Sequence, residues 1–197
     1  MLAAIHTYLL DGSRESLSRA ELLGARRILR FLLGPSERAG ILARMKNTSF
    51  EAQDPEYQRR VRESFARQGL MRHLGAELVS LTPGGAEIRL PFRPELTQQH
   101  DYFHAGATGA IADTACGYAA YTLMPADASV LTVEYKINLL APADGDELVA
   151  RARVVRAGKT LTICLADVFA RKGGDEKHCA TVLATIMCMA GKPDRPQ

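Results

Sequence analysis

From residue 75 onward the apolar positions of this chain follow two different periods. Ala86, Ile88, Leu90 and Phe92 alternate with Glu87 and Arg89, the period-2 pattern of a half-buried strand. Gly75–Leu81 reads as a strand before it, with Pro83–Gly85 as the turn between them. The segment His104–Met124, HAGATGAIADTACGYAAYTLM, stays apolar for longer than a strand runs and predicts one long helix. Four strand-like segments follow: Val130–Leu140, Glu147–Arg156, Thr160–Ala170 and Lys177–Met189. In the first, strict alternation puts Leu131, Val133, Tyr135, Ile137 and Leu139 on one face, and Thr132, Glu134, Lys136 and Asn138 on the other. Turn residues separate the four: Ala141-Pro142 with Asp144-Gly145-Asp146, then Ala157-Gly158-Lys159, then Gly173-Gly174. These short connections predict an antiparallel meander. A long apolar helix against a curled antiparallel sheet is an α+β arrangement.

Upstream, Asp54–Gln68 predicts a short helix, with Pro55 near its first turn. Residues 1–44 are rich in Arg, Leu and Ser, and the spacing of Leu22, Leu29 and Leu33 predicts an amphipathic helix over Ser18–Leu33. The chain therefore divides into an N-terminal extension, 1–50, and one domain, 51–197. Met45 also reads as a second possible start.

Charge sharpens this division. Residues 1–50 hold eight Arg/Lys and four Asp/Glu, whereas the rest of the chain holds 17 and 18. A nearly neutral body argues against a nucleic-acid partner. Glu15, Glu21 and Glu37 weaken a membrane-surface or targeting role for the extension. No apolar run reaches the roughly 18 residues that a membrane span needs. Cys116, Cys164, Cys179 and Cys188 show no C-x-x-C spacing, which favours buried thiols and a cytoplasmic setting over zinc or redox motifs.

The long helix carries the chemistry. Gly106, Gly109, Asp113, Gly117 and Ala120 recur at three- and four-residue steps and share one stripe. Each helical Gly costs roughly 1 kcal/mol relative to Ala. Close packing against a neighbour, or contact with a ligand, would account for them. A carboxylate on so apolar a helix must find donors or shift its pKa, which makes Asp113 a candidate general base or nucleophile. The helix start would present the free N–H groups of Ala105 and Gly106 to a developing oxyanion, with His104 orienting the turn or touching substrate.

Other chemistries fit less well. His100, Asp101 and His104 form H-D-x-x-H, but no Glu follows the first His and no third ligand is evident, so no metal is expected. Cys116 lies near Asp113 without an obvious His base. Serine-hydrolase, P-loop and dinucleotide fingerprints are missing from the sequence.

The segment TQQHDYFHAGATGAIADTACGYAA resembles the hotdog-fold thioesterases of the phenylacetate-degradation, or PaaI-like, type. Those proteins have H-G-G followed by a helix with Asp nine residues after the His, and His104 and Asp113 match. SVLTVEYKINLLAPADGDELVARARVVRAGKTLTICLADVF is similar to the family's strand pattern. The resemblance covers about Leu70–Met189. It implies a hotdog fold, with an antiparallel sheet wrapped around a central helix, and hydrolysis of an aryl or short- to medium-chain acyl-CoA without a cofactor. Asp113 would activate water or attack the thioester, with the Gly106 N–H polarising the carbonyl. Gln98 or Gln99 would hold the water, Gln98 standing where the family commonly has Asn, and Thr132 would help. Ala105 replaces the first Gly of the motif. Lys136, Arg151, Arg153, Arg156 and Lys159 are candidates for the CoA phosphates. The resemblance further implies a homodimer with active sites between subunits, often paired into a homotetramer. A hotdog acyl-thioester dehydratase and a non-catalytic acyl-CoA-binding protein are the alternatives.

Overall fold

The computed structural model describes residues 50–194. The extension, the expected helix over Ser18–Leu33 and Met45 lie outside them. Two short helices open this part of the chain: α1, Tyr57–Arg67, and α2, Gly69–Leu74. Gly75 ends α2 in the left-handed region at φ 76°, where its lack of a Cβ removes the steric penalty. The strand expected from Gly75 therefore begins later, as β1, Glu77–Thr82. A turn through Gly84, also at positive φ, leads to β2, Gly85–Pro91, in which Ala86, Ile88 and Leu90 are buried.

The long helix is α3, Ala105–Tyr121, with His104 as its N-cap. It is followed by β3, Ser129–Leu139; β4, Glu147–Ala157; β5, Leu161–Lys172; and β6, Asp175–Met189. The six strands form one antiparallel sheet in the order β1-β2-β4-β5-β6-β3. The sheet packs around α3, whose residues Ile111, Ala112, Ala115, Cys116, Ala119 and Ala120 are fully buried.

The expected four-strand meander is corrected in one respect. β4, β5 and β6 follow one another, but β3 pairs with β6 rather than with β4. Gly173 and Gly174, both at positive φ, make the tight two-residue link between β5 and β6. The seven residues between β3 and β4 include Pro142 and are too many for such a hairpin; they carry the chain past β6 and β5 to an interior place beside β2. β3 is left as an edge strand, with Leu131, Tyr135 and Leu139 each about half exposed.

β3 also departs from strict alternation. Its pairing with β6 shifts between Thr132 and Glu134, so Val133 is an extra residue in a β-bulge. Thr132 pairs with buried Ile186, and Tyr135, Ile137 and Leu139 pair with buried Ala184, Val182 and Ala180. These four side chains thus share the face turned toward α3. The period-2 reading had put Thr132 on the opposite face.

Candidate active site

α3 begins where its sequence says it should. His104 Nδ1 accepts the Gly106 N–H at 2.8 Å, the geometry of an N-cap. A Cβ on Gly106 would lie 2.9 Å from that same nitrogen, so a side chain there would push the imidazole off the cap. The Gly106 N–H expected to face a substrate carbonyl is therefore already bonded. The Ala105 N–H has no partner among the described residues, and Ala105 lines an open cleft of about 400 Å³. Gln98, Tyr102, Leu139 and Pro142 line it too.

Two turns further on, Asp113 is half-buried and accepts a hydrogen bond from Thr132 Oγ1 at 2.8 Å. The bulge at Val133 turns Thr132 toward the helix and makes this contact possible. Desolvation raises the Asp113 carboxyl above its ordinary range, and the Thr132 hydroxyl offsets part of that. No cation pairs with this carboxylate among the described residues. A half-desolvated carboxylate, held by one hydroxyl and left without a counter-ion, is suited to take a proton from water or to attack a carbon.

The other expected site residues are spread more widely. Gln98 sits at the cleft, but its side-chain oxygen accepts the His100 N–H at 2.7 Å. Gln99 is exposed in the same loop. Lys136 pairs with Leu183 on the sheet face away from α3. Arg156 and Lys159 are exposed at the end of the sheet that Thr132 shares through Ile186, Thr162 and Ala157. Arg153 is exposed near them. Arg151 is not a free phosphate ligand, because it binds Glu87 and Glu176. Cys116 is fully buried, and burial pushes its thiol far above the ordinary range, with nearby Cys164 and Asp113 adding to the shift, which rules out a thiolate nucleophile.

The glycine stripe has mixed causes. A Cβ on Gly109 would meet Tyr135 Oη at 3.6 Å and Ile137 Cδ1 at 3.9 Å, ordinary contacts with β3 side chains. One on Gly117 would meet nothing within 4 Å, so close packing does not explain that residue.

Sequence reasoning alone did not single out Tyr135, which borders this site. Strict alternation faces it away from Thr132, and only the bulge puts the two on one face.

Comparison with known proteins bears on the family and the fold. The thioesterase superfamily profile matches residues 100–177, a span that includes His104, Asp113 and Thr132. A Halobacterium salinarum protein named as an esterase is 32% identical over 105 residues, covering 51% of this chain and 69% of its own length. A 1,4-dihydroxy-2-naphthoyl-CoA hydrolase of Listeria monocytogenes is 27% identical over 95 residues, or 48% of this chain and 77% of that one. Among solved structures, a thioesterase family protein from Silicibacter pomeroyi is 47% identical, with a TM-score of 0.68, and is matched over 99% of its chain and 68% of this one. The Escherichia coli PaaI protein from the phenylacetic acid degradation operon shares the fold, with a TM-score of 0.62 at 19% identity over 70% of this chain and 96% of its own. No helix among the described residues is long and apolar enough to cross a membrane. With the sheet wrapped around α3 and the His104–Asp113 spacing in place, this chain belongs to the thioesterase superfamily as a hotdog-fold thioester hydrolase.

Proposed function

We propose that the chain hydrolyses acyl-CoA, with Asp113 as the carboxylate that activates water or attacks the thioester. The observation that carries this is the Thr132–Asp113 hydrogen bond at 2.8 Å, formed where α3 meets the open edge of the sheet. The Ala105 N–H, left free by the cap, is the donor for the developing oxyanion. Gln98, at the cleft, positions the substrate or the water. His104 holds the helix start, and Gly106 leaves room for that cap. Arg156 and Lys159 are the better placed cations for the CoA phosphates.

One protomer cannot assemble this site. Ala105 and Asp113 are eight residues apart on one helix, about 12 Å along its axis. A single carbonyl cannot meet both. β3 offers a solution. The start of α3 lies near Leu139, and Asp113 lies at Thr132, so helix and strand run in opposite directions. Two β3 edges joined antiparallel about a two-fold axis near Tyr135 would set Asp113 of one copy against Ala105 of the other. That pairing also satisfies the open backbone groups and covers the half-exposed apolar residues of β3. Leu161 and Leu183, about half exposed on the outer sheet face, give a surface for a homotetramer. The four unpaired cysteines fit a cytoplasmic setting.

Subunit mixing tests the composite site. Ala105→Pro removes one N–H at a helix position that tolerates proline, and His104 already has the extended backbone a following proline requires. Asp113→Asn removes the carboxylate. Each variant alone is expected to be nearly inactive. Unfolding and refolding them together should restore about one quarter of wild-type activity, since half of randomly formed dimers are mixed and each has one intact site. No recovery from well-folded mixed dimers would show that each site lies within one chain.

Thr132 gives a smaller effect. Thr132→Val is expected to lower kcat by about 10-fold through loss of a charge-assisted hydrogen bond. Thr132→Ser should retain most of the rate, as steady-state release of CoA would show.

A further inference from the structure

We propose that Gly145, in the loop between β3 and β4, is a positioning residue for the oxyanion donor at the start of α3. The inference rests on the reading of Ala105 given above. The loop runs along the cleft, where Leu140, Ala141, Pro142 and Ala143 line the same space as Ala105. Both of its ends are tied to the sheet. At the first, the N–H groups of Leu140 and Ala141 donate to the Cys179 carbonyl at 2.8 and 3.4 Å. Cys179 is itself the extra residue of a bulge in β6, since Val168 pairs with Ala180 and Phe169 with His178. At the second, the Asp146 N–H donates to the Arg171 carbonyl at 2.7 Å, and Asp146 Oδ2 accepts the Gly173 N–H at 3.2 Å. Lys172 Nζ adds an exposed ion pair to Asp144 at 2.9 Å.

The middle of the loop reaches the helix. The carbonyl of buried Ala143 accepts the Phe103 N–H at 3.1 Å. Phe103 stands two residues before Ala105, and the Leu96 carbonyl holds the His104 N–H between them at 2.8 Å. These two bonds set the peptide planes that lead into α3 and so aim the Ala105 N–H. Gly145 decides whether the loop can reach that far. A Cβ there would lie 2.5 Å from the Arg171 carbonyl oxygen and 3.0 Å from the Arg171 nitrogen. That oxygen is the acceptor of the Asp146 N–H, so a methyl group would press on the bond that ties the loop down. Arg171 cannot yield, because the sheet pairs it with Glu147 and Glu176 and its guanidinium binds both carboxylates. The loop must move instead and carry Ala143 with it. A donor shifted off its line stabilises a developing oxyanion far less, while contacts elsewhere along the substrate are kept.

Gly145→Ala is expected to lower kcat on acyl-CoA by about 10- to 100-fold, with KM within about 2-fold of wild type. Subunit mixing separates this from a general loosening of the fold. In a dimer of Gly145→Ala with Asp113→Asn, one composite site has both defects and the other has neither. Refolding the two together should restore about one quarter of wild-type activity. Gly145→Ala refolded with Ala105→Pro should recover nothing, because both lesions fall on the same half of the site. A wild-type kcat in Gly145→Ala overturns the proposal. So does recovery with neither partner, which would place the damage throughout its own subunit, or recovery with Ala105→Pro. The mixture of Ala105→Pro with Asp113→Asn is the control. If that pair fails to complement, the composite site is what fails, and the kcat–KM split alone then decides the role of Gly145. Should Gly145→Ala not fold, Lys172→Met combined with Asp146→Ala removes both side-chain tethers without adding an atom to the contact. Its kcat should fall about 3-fold at constant KM, and an unchanged kcat overturns the proposal.

Discussion

Asp113→Asn is expected to lower kcat/KM on acyl-CoA by about 10²- to 10⁴-fold, the range supplied by a positioned general base. The substitution keeps the side-chain shape, and its amide oxygen can still accept the Thr132 hydroxyl now 2.8 Å from the carboxylate. What it removes is the negative charge and the basicity. KM should change little, because the carboxylate does its work as water or the carboxylate itself reaches the carbonyl carbon. Free CoA released from a panel of aryl, short-chain and medium-chain substrates gives the rate and names the preferred acyl class. Full activity in the variant would place the base elsewhere.

The same substitution should act on stability with the opposite sign. Desolvation raises the folded-state pKa of Asp113 above its ordinary value. Between those two values the native state binds more protons than the unfolded chain, so stability falls as pH rises through the interval. Above it the cost of the buried charge is fully present. Asp113→Asn removes that cost, so the variant is expected to melt at the same temperature as wild type or higher at neutral pH. Its advantage should vanish below the ordinary carboxylate range. Thermal melts across pH check the sign. The acid limb of kcat/KM in wild type should fall above the ordinary aspartate pKa for the same reason.

Much of this site is legible in the amino-acid sequence because its parts are local. His104 caps the helix that carries Asp113, and nine residues of helix fix their spacing whatever the sheet does. Glycine pairs and charged turns likewise mark the later strands within a few residues. The failures are non-local. Strict alternation cannot register a one-residue bulge, and Val133 turns the strand's faces over in mid-course. Periodicity alone sets Thr132 on the wrong face, and only the family resemblance points to it. Nor can turn lengths alone reveal which strand receives β3. Its pairs with β6 join residues more than forty apart in sequence, and only closure of the sheet around α3 selects them. Arg151 shows the same limit. It looks like a free strand cation until Glu87 on β2 and Glu176 on β6 converge on it.

Arg60→Ala is expected to destabilise the domain by about 3–5 kcal/mol, the cost of breaking a buried ion pair and leaving its partner uncompensated. Arg60 and Asp54 have side-chain exposures of only 12% and 8%, and their Nε–Oδ2 distance is 2.7 Å. The guanidinium also donates to the carbonyls of Met124 at 2.8 Å and Tyr121 at 3.3 Å, closing the C-terminal end of α3. It stacks over the Tyr121 ring at 4.2 Å. One side chain thus ties α1 to the far end of the helix that carries Asp113. Against a total of roughly 5–15 kcal/mol for a domain, its loss is large. Burial raises the Asp54 carboxyl, but the bonds from Arg60 and the Glu56 N–H outweigh this and leave it below its ordinary range. Its contribution is therefore present above the ordinary carboxylate pKa and is lost as pH falls through the lower folded value. In Arg60→Ala the pairing that holds Asp54 down is gone and burial remains, so that carboxylate should cease to protect the fold on the acid side. Denaturant unfolding at pH 7 and at pH 4 separates the two effects. The deficit should be several kcal/mol at the higher pH and smaller at the lower. A variant as stable as wild type at both would mean that the helix end is held by packing alone.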